Sequence, residues 1–299
     1  MRKYFNYFIY VSIAFLLVAL YKADYLVIPK IGNIPLFVLS IFILLSGFLS
    51  DAWGWQTALR KINVKIKFAD AVASFGLSVF GKYIPGKVWI IAGRAAYISK
   101  RYKNVSETEV LSVSFITQFV SLWVGLIYGA IALWVMDNVW IYIISAGVIW
   151  LGLTLTVFTK YPHQIVAGLY RRILKKEFKV PYIPFKDAIA IVPVYILRWG
   201  AFALSFYLFV ISLVGESVPF ITGFAFPLAT ILGIVVLIAP GGLGVRETIL
   251  VGFLKWNGLI TTVATTVSVV SRLWFLIAEV SLFILAFTIH KLKKEKKLK

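Results

Sequence analysis

Two short stretches carry the residue types that can do chemistry in this chain. The first is Gly81-Lys82-Tyr83-Ile84-Pro85-Gly86-Lys87-Val88-Trp89, with Arg94 close behind. The second is Ala239-Pro240-Gly241-Gly242-Leu243-Gly244-Val245-Arg246-Glu247. Each sets proline, glycine and cations inside a run that is otherwise apolar. Proline removes a backbone donor and glycine has little helical preference, so a helix entering either stretch must break. The N-terminus of a broken half-helix exposes N–H groups that suit phosphate or carboxylate oxygens, and glycine lets a ligand approach the backbone closely. Lys82 and Lys87 add mobile point charges, while Arg94 and Arg246 can grip a phosphate in bidentate fashion. The candidate substrate-binding set is therefore Lys82, Tyr83, Pro85, Gly86, Lys87, Arg94, Pro240, Gly241, Gly242, Gly244, Arg246 and Glu247. Structural explanations compete with it: Arg246 and Glu247 as a local ion pair, and the two lysines snorkelling to the membrane edge.

Three further charges, Arg198, Arg272 and Glu279, fall inside apolar runs. Charge at membrane depth is costly and is normally paired or lines a pathway, so these are candidates for ion pairs or for coupling. Arg272 and Glu279 lie seven apart on one helix face and can pair with other helices, while Arg198 either snorkels or pairs with Glu279. Catalytic and metal chemistry find less support. The chain has no cysteine, and His163 and His290 lack any partner at metal-ligand spacing. Gly81 and Gly86-Lys87 approach a phosphate-loop pattern, but Val88 stands where that loop needs a hydroxyl residue. No paired acidic motif is present. No cofactor, no metal and no enzymatic activity are expected.

The elements that must position these residues follow from composition. The 299-residue chain is 61% hydrophobic and only 14% charged, against about 25% charged in soluble domains. Several apolar runs reach the roughly 20 residues needed to cross a bilayer. The fold class is all-α: a polytopic membrane protein forming a single domain over 1–299. The net charge of +19 belongs to membrane-edge loops rather than to a nucleic-acid surface. Spans are expected at Tyr4 to Leu20, Ile34 to about Trp55, Glu107 to about Val135, Val139 to Phe158, Ala188 to Val214 and Thr261 to His290. Asp51 and Asp70 fall near the cytoplasmic edge in this layout. Trp53, Trp55, Trp140 and Trp256 read as interfacial anchors. Ser106 with Glu107 and Glu109 reads as a helix cap and an acidic first turn.

Charge distribution decides the path of the two broken stretches. If both crossed the membrane, eleven cations would move to the outer side. If both are re-entrant hairpins, about 68–93 and 220–254, then 23 of the 31 Lys and Arg residues lie in the cytoplasm. These include a basic loop at 159–187, whose 165–176 portion suits a short amphipathic helix on anionic lipid, and a basic tail at 290–299. Both termini are then cytoplasmic. The first hairpin enters from the cytoplasm and the second from outside. About six transmembrane helices plus two opposed hairpins predict an inverted repeat with a midplane site between the breaks.

These two motifs resemble those of the lysylphosphatidylglycerol synthase transmembrane family, also called flippase-like domain proteins, over essentially the whole chain. The resemblance implies movement of a lipid across the cytoplasmic membrane: an anionic or aminoacylated phospholipid, or a polyprenyl phosphate or glycolipid. The soluble domain that makes the aminoacyl ester in multiple-peptide-resistance-factor proteins has no counterpart here, so synthesis does not carry over. Lipid-modifying or glycan-biosynthesis enzymes are the partners the resemblance implies, beside the anionic lipid itself. Two other functions stay open: an integral-membrane transferase using Glu247, Glu279 or Asp51, and a lipid-binding component of a biosynthetic complex that transports nothing.

Overall fold

The computed structural model describes residues 5–22, 31–84, 89–136, 140–159, 184–235 and 244–295. They form helices with no strands. α1 is Phe5–Lys22, α2 Ile34–Lys61, α3 Phe68–Ser78, α4 Trp89–Arg101, α5 Glu107–Trp134, α6 Trp140–Phe158, α7 Phe185–Val214, α8 Ala225–Val235, α9 Val245–Trp256 and α10 Thr261–Glu295. Four of these, α2, α5, α7 and α10, are long and apolar enough to cross a membrane. A 3-10 turn at Val79–Tyr83 ends α3, and another at Phe220–Phe224 precedes α8. Each hairpin therefore has an 11-residue arm with a five-residue 3-10 turn attached. An 11-residue helix rises about 16 Å, half of the ~30 Å hydrocarbon core.

The hairpins enter from opposite ends of the bundle. α2 and α7 run antiparallel: Gly32 N–H bonds Ser212 O at 2.9 Å at one end, and Lys61 pairs with Asp187 at 3.0 Å at the other. The first hairpin starts and finishes at the Lys61 end. There the Asp70 carboxylate, opening α3, meets Arg101 at the close of α4 (2.8 Å) and Lys293 near the end of α10 (2.9 Å). α8 packs on the later part of α5, with Gly129 and Gly125 against Leu228 and Ile231, and so starts at the other end. The packing then repeats with the halves exchanged. α3 lies on α10 as α8 lies on α5, and α4 packs on α5 as α9 packs on α10, around the central α2–α7 pair. Each half lends its hairpin arms to the other.

The core is held by aromatic side chains whose polar atoms are bonded to neighbouring helices. The indole N–H of Trp55 donates to Ser114 Oγ (2.8 Å), that of Trp274 to Ser40 Oγ (2.9 Å) and that of Trp199 to Ser121 O (2.7 Å). A buried indole needs such a partner, and here each bond also ties two helices together. Trp55 is thus a fully buried core residue, not an interfacial anchor, whereas Trp53, Trp140 and Trp256 are exposed as the anchors should be. Ser106 makes no side-chain cap bond, although Glu107 and Glu109 do occupy the first turn of α5. The suggested amphipathic helix at 165–176 lies outside the described residues.

Asp70 is the hub of the basic end. Besides its two cations it accepts from the Tyr102 hydroxyl at 2.7 Å, and that oxygen in turn accepts from Lys67 N–H at 3.1 Å. Burial, reinforced by the neighbouring carboxylate, holds the Tyr102 hydroxyl above the usual tyrosine range. The folded chain therefore binds this proton more tightly than the unfolded chain does. Its contribution is complete below about pH 10 and is lost as pH rises beyond it. Tyr102→Phe is expected to lower stability by about 1.5–3 kcal/mol, as loss of a hydrogen bond to a charged group. Thermal unfolding in detergent at pH 7 measures this, and the deficit should shrink above pH 10.

Candidate functional site

Described residues on both arms of each hairpin border one cavity of about 250 Å³ within the bundle. Its apolar wall combines Phe48, Phe75, Phe202 and Phe275 with aliphatic side chains, and its polar lining is mostly charged. Lys82 reaches it from the 3-10 turn of the first hairpin, and Arg94 from one turn inside α4. Arg246 arrives from the first turn of α9, Arg198 and Asp51 from α7 and α2, and Glu279 from α10. Gln118 of α5 and Thr230 of α8 complete the polar set.

The two acids are already engaged. The Lys82 ammonium donates to Glu279 Oε1, and the Tyr83 hydroxyl donates to Glu279 Oε2 at 3.1 Å. Glu279 is 1% exposed, so this is a deep pair. Arg198 Nε lies 3.1 Å from Asp51, and its Nη1 also donates to Ser121. Arg94 and Arg246 differ from these. Neither has a carboxylate at ion-pair distance among the described residues, and the Nε of each is buried with no hydrogen-bond partner there. Aromatic faces support them instead. Arg94 stacks 3.3 Å from the Phe75 ring centre, and Arg246 lies 4.6 Å from that of Phe226. A ring face attracts a guanidinium without neutralising its charge. Arg246 adds only a long bond to Ser271 Oγ, 3.3 Å. Four cations against two carboxylates leave the cavity with two positive charges among the described residues.

Several expectations from sequence shift here. Glu279 pairs with Lys82 and not with Arg198, so Lys82 is held at depth and does not snorkel. Arg198 takes Asp51 as its partner, because α2 runs on to Lys61 and carries Asp51 about 15 Å inside its end. Glu247 does not pair with its neighbour Arg246. It bonds Arg272 Nε through one oxygen and Gly244 N–H through the other (2.8 Å), closing the start of α9 beside the cavity. Gly244 has φ +84°, a conformation open to glycine and strained for other residues. Arg94, counted with the cytoplasmic cations, is 6% exposed and lines the cavity. Pro85, Gly86, Lys87, Pro240, Gly241 and Gly242 lie outside the described residues. Among those described, no group of acidic residues and histidines is arranged to hold a metal, and the His290 ring meets the Tyr97 hydroxyl at 3.3 Å.

A profile of the lysylphosphatidylglycerol synthase TM region matches residues 7–288, which includes both hairpins and every element around the cavity. The chain belongs to that family. Membership ties it to membrane-lipid function, and a comparison with curated proteins gave no match. Gln118 and Thr230 are the polar cavity residues that sequence reasoning missed, and Asp51 was placed at the membrane edge. A longer α2, signalled by helix-compatible residues through Arg60 and Lys61, would have placed Asp51 at depth. Nothing in the sequence singles out Gln118.

Proposed function

We propose that this protein is a lipid translocase of the cytoplasmic membrane that binds an anionic headgroup between its two hairpins. The observation that carries this reading is the pair of buried guanidiniums, Arg94 and Arg246, which face one cavity from opposite hairpins with no carboxylate partner among the described residues. An uncompensated cation at such depth is expensive, and a bound anion supplies what is missing. The exchanged packing of the halves supports alternating exposure of this site to the two leaflets, by rocking one half against the other. The headgroup crosses at the cavity while the acyl chains stay in lipid. Both termini and the basic end face the cytoplasm, following the distribution of Lys and Arg.

The reading involves no bond chemistry. Asp51, Glu247 and Glu279, the acids a transferase would use as base or metal ligand, each hold an arginine or a lysine. The test is lipid translocation in proteoliposomes, followed by dithionite quenching of a headgroup-labelled anionic lipid. Lys82→Ala is a poor probe, since it strands Glu279. Arg94→Gln with Arg246→Gln removes the charge and leaves a shorter side chain that can still hydrogen-bond. This double variant is expected to lose at least about tenfold in rate, the equivalent of 1.4 kcal/mol. Equal rates for the wild type and the double variant would overturn the reading.

A further inference from the structure

We infer that the cavity selects a headgroup bearing two negative charges and no ammonium, the chemistry of a phosphomonoester or diphosphate. This rests on the headgroup reading above and sharpens it. Among the described residues, neutrality at this depth needs two negative charges, because Lys82 and Arg198 already have their carboxylates while Arg94 and Arg246 have none. A phosphodiester supplies one charge, and a phosphomonoester above its second ionisation, near pH 6, supplies close to two. The volume of about 250 Å³ lies below the ~300–1,000 Å³ of drug-sized pockets and suits a compact headgroup. A lysyl ester brings the opposite charge pattern, with two ammonium groups against one phosphate. It would meet two guanidiniums and no unengaged carboxylate among the described residues. Three of the four phenylalanine rings that line the cavity already carry a cation: Phe75 has Arg94, Phe202 has Arg198, and Phe275 has Lys82 and Arg246.

Titration of the purified full chain in neutral detergent tests this, with four probes: dioctanoyl phosphatidic acid, dioctanoyl phosphatidylglycerol, dioctanoyl lysylphosphatidylglycerol and inorganic phosphate. At pH 8 phosphatidic acid is expected to bind about tenfold tighter than phosphatidylglycerol, and that in turn tighter than the lysyl ester. The advantage of phosphatidic acid should vanish below about pH 6, where its second charge is lost. That pH dependence is read on the unmodified protein. Arg94→Gln with Arg246→Gln should abolish the preference, and a misfolded variant leaves the pH series to decide. Lysyl ester binding as tightly as phosphatidic acid, or a preference that ignores pH, overturns the two-charge inference and leaves the headgroup site standing. Inorganic phosphate binding as tightly as phosphatidic acid overturns the lipid reading and leaves the two-charge site.

Discussion

Glu279→Ala is expected to destabilise the protein by about 3–5 kcal/mol, the cost of leaving one partner of a buried pair uncompensated. The carboxylate is 1% exposed and holds both the Lys82 ammonium and the Tyr83 hydroxyl. Without it the ammonium keeps only ring contacts, 4.9 Å to Tyr83 and 4.7 Å to Phe275, in a cavity that already holds excess positive charge. Removing both charges tests the cause. Lys82→Met combined with Glu279→Leu should recover most of the loss, since a buried pair replaced by apolar groups of similar volume is often neutral or stabilising. A coupling energy near zero in the double-mutant cycle, read from thermal unfolding, would mean that the two groups do not meet.

The second large effect is expected at Gly76, where the first hairpin crosses α10. A Cβ there would lie 2.6 Å from the Leu282 carbonyl oxygen and 2.4 Å from Ala286 Cβ. The obstacle is backbone, so no rotamer change relieves it, and Gly76→Ala must push α3 away from α10. That is overpacking of a close crossing, with an expected loss of about 3 kcal/mol. It also moves Lys82 relative to Glu279, so translocation should fall with stability. Gly223→Ala poses the same problem in the second hairpin, 2.3 Å from the Ala203 carbonyl oxygen. Gly252 in α9 supplies the control. Nothing lies within 4 Å of its Cβ position, so alanine there is expected to be neutral or to stabilise by about 0.5–1 kcal/mol. Equal unfolding temperatures for Gly76→Ala and Gly252→Ala would contradict the crossing.

These residues also mark what was legible in the sequence. The all-α polytopic architecture follows from apolar run length, because a bilayer requires internally bonded spans of fixed length. The opposed hairpins followed from two Pro-Gly breaks and from where the cations would otherwise land. The partners of the buried charges did not follow. Glu279 meets Lys82 across 197 positions, and a pairing of that kind depends on how α3 lies on α10. That crossing is set by the absence of a side chain at Gly76, a signal that reads in sequence only as one more glycine. Asp51 was placed at the membrane edge because α2 was ended at Trp55. The helix continues to Lys61, and Trp55 is a core residue bonded to Ser114. Arg94 and Arg246 were read as phosphate ligands from residue type alone. What the structure adds is that both face one cavity and have no carboxylate at ion-pair distance among the described residues, while Lys82, chosen on the same grounds, already has one.

The central claim is that the cavity faced by Arg94 and Arg246 holds an anionic headgroup. Native mass spectrometry of the protein released from membranes tests it most directly, comparing the wild type with Arg94→Gln/Arg246→Gln. The account predicts an anionic lipid retained by the wild type and lost from the double variant, with neutral lipids retained equally by both. The same anionic lipid held at equal occupancy by both proteins would contradict it.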